Sequence, residues 1–128
     1  MAKVKKRIMI VDDEKYVGMT FKMILEYYGF DIDSFTDPGV ALEQFKPSLY
    51  DLTILDIRMP EINGFELYDQ LKSKEPNIKT LFITALSHLR SHDTQKSIQH
   101  YAIKGQRHFL QKPVSNKELL EEVYSMVS

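Results

Sequence analysis

Ile8-Met9-Ile10-Val11-Asp12-Asp13-Glu14 is the stretch on which the fold turns. Four consecutive apolar residues running abruptly into three carboxylates describe a short strand buried on both faces, with its carboxyl end at a polar rim. Leu52-Thr53-Ile54-Leu55 repeats the pattern and ends in Asp56. Thr80-Leu81-Phe82-Ile83-Thr84 and the shorter His108 to Gln111 add two more strands, and Asp31 to Phe35 alternates polar and apolar residues as an edge strand does.

The segments between these strands carry helical spacing. Val17, Phe21, Ile24, Leu25 and Tyr28 share one face of a helix that stops at Gly29, a natural C-terminal cap. Thr36-Asp37-Pro38 supplies a cap and a first-turn proline for a second helix through Phe45. A loop with Pro60 leads into a third from about Gly64 to Lys74, and a polar stretch precedes a fourth that runs to about Lys104. Ser115-Asn116-Lys117-Glu118 is a capping box that opens the last helix, with Leu119, Leu120, Val123 and Val127 on its inner face. Five strands alternating with five helices predict an α/β fold: one doubly wound, five-stranded parallel sheet in three αβα layers, because right-handed crossovers place helices on both faces. Neither an internal repeat nor an interdomain linker is visible, so residues 1–128 are expected to form a single domain.

Composition agrees with that size and narrows the function. The 128 residues are 43% hydrophobic and 27% charged, which suits a globular core rather than a disordered chain. There is no cysteine, which excludes disulfide frameworks, thiolate metal sites and cysteine nucleophiles, and is compatible with a reducing cytoplasm. The formal charge of −1 offers no global attraction to nucleic acid or acidic lipid, and no apolar run reaches the roughly 20 residues of a membrane span. Direct nucleic-acid binding and membrane insertion are therefore not expected.

In doubly wound sheets, ligands sit beyond the carboxyl ends of the strands. Those ends here carry Asp12 and Asp13, then Asp56, Thr84 and Lys112. Three carboxylates on one rim must protonate or find a cation, and an oxygen-only set with room for water suits Mg²⁺. Lys112 can neutralise a phosphoryl oxygen and Thr84 can donate a hydroxyl hydrogen bond to another. A carboxylate attacking phosphorus gives an acyl phosphate, with the metal screening the charges that would hold the reactants apart. Each residue alone reads more readily as a solvated loop or cap residue; their joint placement is what carries the chemistry.

The order Val11-Asp12-Asp13, Leu55-Asp56-Ile57-Arg58-Met59-Pro60 with Gly64, Ile83-Thr84-Ala85 and Lys112-Pro113 resembles a response-regulator receiver domain of two-component signalling, over essentially the whole chain. The resemblance implies a flavodoxin-like (βα)5 fold and a phosphorylation switch rather than an enzyme, with self-phosphorylation and autodephosphorylation its only chemistry. It makes Asp56 the phosphoacceptor, and Asp12 and Asp13 the holders of Mg²⁺, with Mn²⁺ as a substitute, together with Asp56 and the main-chain carbonyl of Arg58. Thr84 and Lys112 would bind the phosphoryl group, Phe109 would be the switch aromatic, and the Lys112-Pro113 bond would be cis, as proline permits. The implied partners are a sensor histidine kinase or phosphotransfer protein upstream. Downstream, a protein partner or a phosphorylation-dependent homodimer would read the surface of the fourth helix, fifth strand and fifth helix, in the cytoplasm. No output domain is expected within the chain.

Two features depart from the family's usual pattern. The stretch between Thr84 and Lys112 is about six residues longer than such domains usually have, and Gln106 follows Gly105 where a small residue is usual; Phe109 also lacks the hydroxyl a tyrosine would offer. A phosphatase using an aspartyl phosphate is disfavoured because Arg58, not an acid, stands two residues beyond Asp56. A binding module independent of phosphorylation is disfavoured because the acids and the lysine are all present. His88 and His92 have i, i+4 spacing, but no Cys or Glu nearby completes a metal set. Arg90, Lys96, Lys104, Arg107 and Lys112 face only Asp93 between Ala85 and Lys112, an imbalance suited to an acidic partner or to plain solvation. Tyr27, Tyr28 and Tyr101 read as helix packing and surface.

Overall fold

Strand and helix alternate along the chain in the order the hydrophobic pattern predicts. The computed structural model describes residues 5–85, 92–103 and 108–128. The elements are β1 (Arg7–Val11), α1 (Lys15–Tyr27), β2 (Asp31–Phe35), α2 (Pro38–Gln44), β3 (Leu52–Asp56), α3 (Gly64–Lys74), β4 (Thr80–Ala85), α4 (His92–Ile103), β5 (Phe109–Lys112) and α5 (Asn116–Val127). All strands are parallel, in the order β2-β1-β3-β4-β5. The winding reverses between β1 and β3, whose carboxyl ends therefore stand side by side at the mouth of a crevice.

Period-two alternation in the central strands divides the core between two faces. Ile8 and Ile10 of β1, with Ile54 and Ile83, point toward α1 and α5, where Phe21, Leu25, Leu119 and Val123 meet them. Met9 and Val11, with Leu55 and Phe82, point the other way onto Ala41 of α2, Phe65, Leu67 and Leu71 of α3, and Tyr101 of α4. Both faces of β1, β3 and β4 are covered, which is why those strands are mostly apolar, with only threonines among the buried polar residues of their interiors, while β2 at the edge alternates.

Local signals place the helix ends. Gly29 takes the left-handed conformation at φ 96°, its N–H bonds the Glu26 carbonyl at 3.0 Å, and the Phe30 N–H bonds that of Leu25 at 3.0 Å, a Schellman motif closing α1. Asp37 caps α2 through the Gly39 N–H at 2.8 Å. The capping box at α3 is complete: Asn63 accepts from the Glu66 N–H and the Asn63 N–H donates to the Glu66 carboxylate. At α5 only half of the expected box forms. Ser115 accepts from the Glu118 N–H at 3.1 Å, but its hydroxyl donates to the Glu118 carboxylate at 3.2 Å.

Three expectations shift. The last strand begins at Phe109 and includes Lys112, one residue later than read from sequence, because His108 stands outside it and lends only its carbonyl to the Phe82 N–H. Tyr28 is half exposed rather than inward, since it lies at the cap where the helix turns away. Tyr101, read as helix packing and surface, is all packing: it is 8% exposed and sits in the aromatic core between α3 and α4.

Candidate functional site

Backbone geometry at the strand ends aims the polar side chains. The Asp12 N–H bonds the Phe35 carbonyl at 3.0 Å, carrying the β1–β2 ladder one residue past the strand. The Asp12 carboxylate accepts from the Glu14 N–H at 2.9 Å, the turn that starts α1. Asp56 ends β3 opposite Ile83, and the Ile57 N–H continues the ladder to the Ile83 carbonyl at 2.9 Å. The Gly64 N–H then bonds the Ile57 carbonyl at 2.8 Å, drawing α3 onto the loop beneath Asp56. A Cβ at Gly64 would lie 2.3 Å from the Asp56 carbonyl oxygen, so only glycine permits this approach. Thr84 follows Ile83 in β4, and Lys112 pairs with Ala85 across β4–β5.

These elements bring the residues together. Asp12 and Asp56 are each 3% exposed, while Asp13 lies open to solvent. Carboxylate oxygens of Asp12, Asp13 and Asp56 all lie within 4.8 Å of one another. The Lys112 ammonium is 3.1 Å from Asp12, 3.4 Å from Glu14 and 3.5 Å from Asp56. One cation therefore faces three acids. Burial, then the neighbouring Asp12 charge, pushes the Asp56 carboxyl up to about 8, with Asp13 adding to the rise and Lys112 opposing it. Burial also raises Asp12, against the Glu14 N–H and Lys112. Burial alone would lower Lys112, but Asp12 and Asp56 outweigh it and hold the ammonium above its ordinary range.

Such a cluster asks for positive charge. Its donors are oxygens only, it is open on the Asp13 side, and it is the one group of three acidic or histidine ligands within reach of a common ion among the described residues. It could hold a hard divalent cation.

The other expected residues fall around it. Thr84 is 1% exposed, and its hydroxyl meets the Ala85 carbonyl at 3.4 Å, a weak contact. Phe109 is half-buried, its ring stacked on Phe82 at 5.4 Å and near Phe65 at 6.4 Å. Arg58 is exposed in the loop two residues past Asp56, and the Lys112–Pro113 peptide is cis. His88, Arg90, Lys104 to Arg107 and the segment 86–91 lie outside the described residues. His92 is exposed at the start of α4, and His108 pairs with Glu122 at 2.9 Å rather than with another histidine.

Sequence reasoning passed over Glu14 and Tyr101. The run Asp12-Asp13-Glu14 carried a signal for Glu14, since a residue two beyond a rim aspartate can reach across to the same lysine. Tyr101 gave none beyond a helical position, because its stacking partner Phe65 and its acceptor Asp69 are more than 30 residues away.

The sequence model of the family described as "Response regulator receiver domain" matches residues 8–124. The chain belongs to that family: it is a receiver domain of two-component response regulators. It is 29% identical over 123 residues to the "Probable transcriptional regulator ycf27" of Porphyridium aerugineum, spanning 96% of this chain and 48% of that protein. Response regulator SaeR of Staphylococcus aureus (strain COL) is 28% identical over 122 residues, 94% of this chain and 50% of its own length. The chain thus spans about half the length of these relatives. Among solved structures, the non-phosphorylated HemR receiver domain from Leptospira biflexa superposes with TM-score 0.83 at 30% identity, covering 97% of this chain and 95% of that one. A CheY-like receiver domain from Methanospirillum hungatei JF-1 gives TM-score 0.80 at 25% identity, with coverage of 97% and 94%. Members of this family act as signalling switches. No helix among the described residues is long and apolar enough to cross a membrane.

Proposed function

We propose that Asp56 accepts a phosphoryl group and that Thr84 and Phe109 convert the acyl phosphate into a new surface. The observation that carries this reading is the placement of Asp56: buried at the rim, with Asp12 and Asp13 carboxylates within 4.8 Å and the Lys112 ammonium 3.5 Å away. A sensor histidine kinase or a phosphotransfer protein is the donor. An Asp56 oxygen forms the new bond to phosphorus as the phosphorus–nitrogen bond of the donor's phosphohistidine breaks. The imidazole leaves with the electron pair and takes a proton from water.

Asp56 must be ionised to attack, and burial beside Asp12 works against that. Asp12, Asp13, Asp56 and the main-chain carbonyl of Arg58 would hold a Mg²⁺ ion, replaceable by Mn²⁺, which when bound would favour the ionised carboxylate and offset charge on the incoming phosphoryl oxygens. Lys112, shared in the resting protein among Asp12, Glu14 and Asp56, turns toward a phosphoryl oxygen once Asp56 carries one. Thr84 gives up its 3.4 Å contact to Ala85 for a charge-assisted hydrogen bond. Phe109 follows inward, changing the face built from α4, β5 and α5. A protein partner or a second copy of the chain reads that face in the cytoplasm, and the chain's own chemistry stops at self-phosphorylation and autodephosphorylation.

Incubation with acetyl phosphate and Mg²⁺ followed by intact-mass measurement tests the acceptor. Wild type should gain one phosphoryl group and Asp56→Asn none. An equal gain in the variant, or none in wild type, removes Asp56 from the role.

A further inference from the structure

The aromatic cluster beneath Phe109 contains a hydrogen bond that the switch chemistry does not use. Tyr101 of α4 is 8% exposed, its ring lies flat on Phe65 of α3 at 4.7 Å and 8°, and its hydroxyl donates to the Asp69 carboxylate at 2.6 Å. Phe65 and Asp69 are one turn apart on α3, so a single face of that helix supplies both the stacking partner and the acceptor. Phe65 meets Phe82 at 4.8 Å, and Phe82 stacks on Phe109 at 5.4 Å and 19°. Rings from α4, α3, β4 and β5 thus form one continuous pile.

We infer that the Tyr101–Asp69 pair is a clamp that pins the C-terminal half of α4 to α3 and makes it the fulcrum of the switch. An inward turn of Phe109 repacks the pile at Phe82, while Tyr101 cannot follow without breaking a short bond to a carboxylate. The displacement therefore falls on the N-terminal half of α4. There Asp93, Thr94 and Ser97 border a cleft of about 320 Å³ against the β3–α3 loop at Arg58, Glu61 and Asn63. Tyr101 and Asp69 act as positioning residues that decide which part of α4 moves, and this assignment of the response rests on the reading of Asp56 and Phe109 above.

Hydrogen exchange on peptides covering 92–97 and 98–103 tests the clamp, in wild type, Tyr101→Phe, Asp69→Ala and the double variant, each with and without beryllofluoride and Mg²⁺. Tyr101→Phe keeps the ring, and Asp69 is exposed, so unfolding curves should show both variants folded. In the resting state either substitution should speed exchange of 98–103 by about tenfold, the loss of one bond to a charged group, and the double variant should add nothing further. With beryllofluoride, wild type should change in 92–97 alone, whereas the variants should change along both peptides. Unaltered resting exchange in both single variants, additive effects in the double, or a wild-type response spread evenly over both peptides would each overturn the clamp. If the resting effects appear but beryllofluoride changes nothing in any protein, the clamp stands and the switch reading fails.

Discussion

Burying Asp56 beside Asp12 gives the fold a pH dependence that an exposed aspartate would not create. Its carboxyl ionises near 3.8 when unfolded and about 8 when folded, so between those values the folded protein holds a proton that the unfolded chain has released. Stability from this group is therefore full below about pH 4, falls as pH rises through the window, and levels off above about pH 8. Asp56→Asn removes the titration. Its advantage over wild type in unfolding free energy, read from urea titrations, should grow across that window to roughly 2 kcal/mol, less than the isolated shift implies because Lys112 and solvent near Asp13 relax the site. Added Mg²⁺ should raise the wild-type midpoint at neutral pH and leave the variant nearly unchanged. A difference between the two proteins that stays constant with pH would show that Asp56 is not the strained acid.

Between elements, the junction of β3 and α3 is the tightest constraint on the site. Gly64→Ala would drive a methyl into the Asp56 carbonyl, and should cost about 2–4 kcal/mol in denaturant unfolding while slowing phosphorylation by acetyl phosphate. Asn63→Ala, which removes only the cap of α3, should cost about 1 kcal/mol and leave phosphorylation close to wild type. If the two variants slow phosphorylation equally, general loosening rather than the placement of Asp56 is responsible. Local signals of this kind were readable in the sequence. Gly29 ends a helix through its backbone freedom, Asp37 and Pro38 begin one through their side chains, and β1 announces itself by being apolar on both faces. Signals that depend on distant partners were not: Tyr28 and Tyr101 occupy similar helical positions on paper, yet one meets solvent and the other Phe65. The reciprocal bond of the α5 box also failed to form as read, because the Glu118 carboxylate finds the Ser115 hydroxyl instead.

Across the whole molecule, what made the site legible was topology. Asp12, Asp56, Thr84 and Lys112 are scattered over 100 positions of sequence, and only the rule that parallel strands share one carboxyl rim brings them together before any coordinate is known. Glu14 escaped because it sits one residue past the acidic pair and reaches Lys112 through a turn. In the proposed switch, charge placed on Asp56 changes the shape of a distant face through Thr84. Thr84→Ala should still be phosphorylated, yet lose a hydrogen bond worth about 1.5–3 kcal/mol in one state alone, enough for a tenfold to hundredfold change in population. The most direct measurement is the amide NMR spectrum of wild type and Thr84→Ala with and without beryllofluoride and Mg²⁺. Wild type should shift at Asp12, Asp13 and Asp56 and also along Phe109 to Lys112 and residues 92–97 of α4, whereas Thr84→Ala should shift only around the three aspartates. Distant shifts that persist undiminished in Thr84→Ala, or that never appear in wild type whose aspartates do respond, would remove Thr84 as the coupling residue.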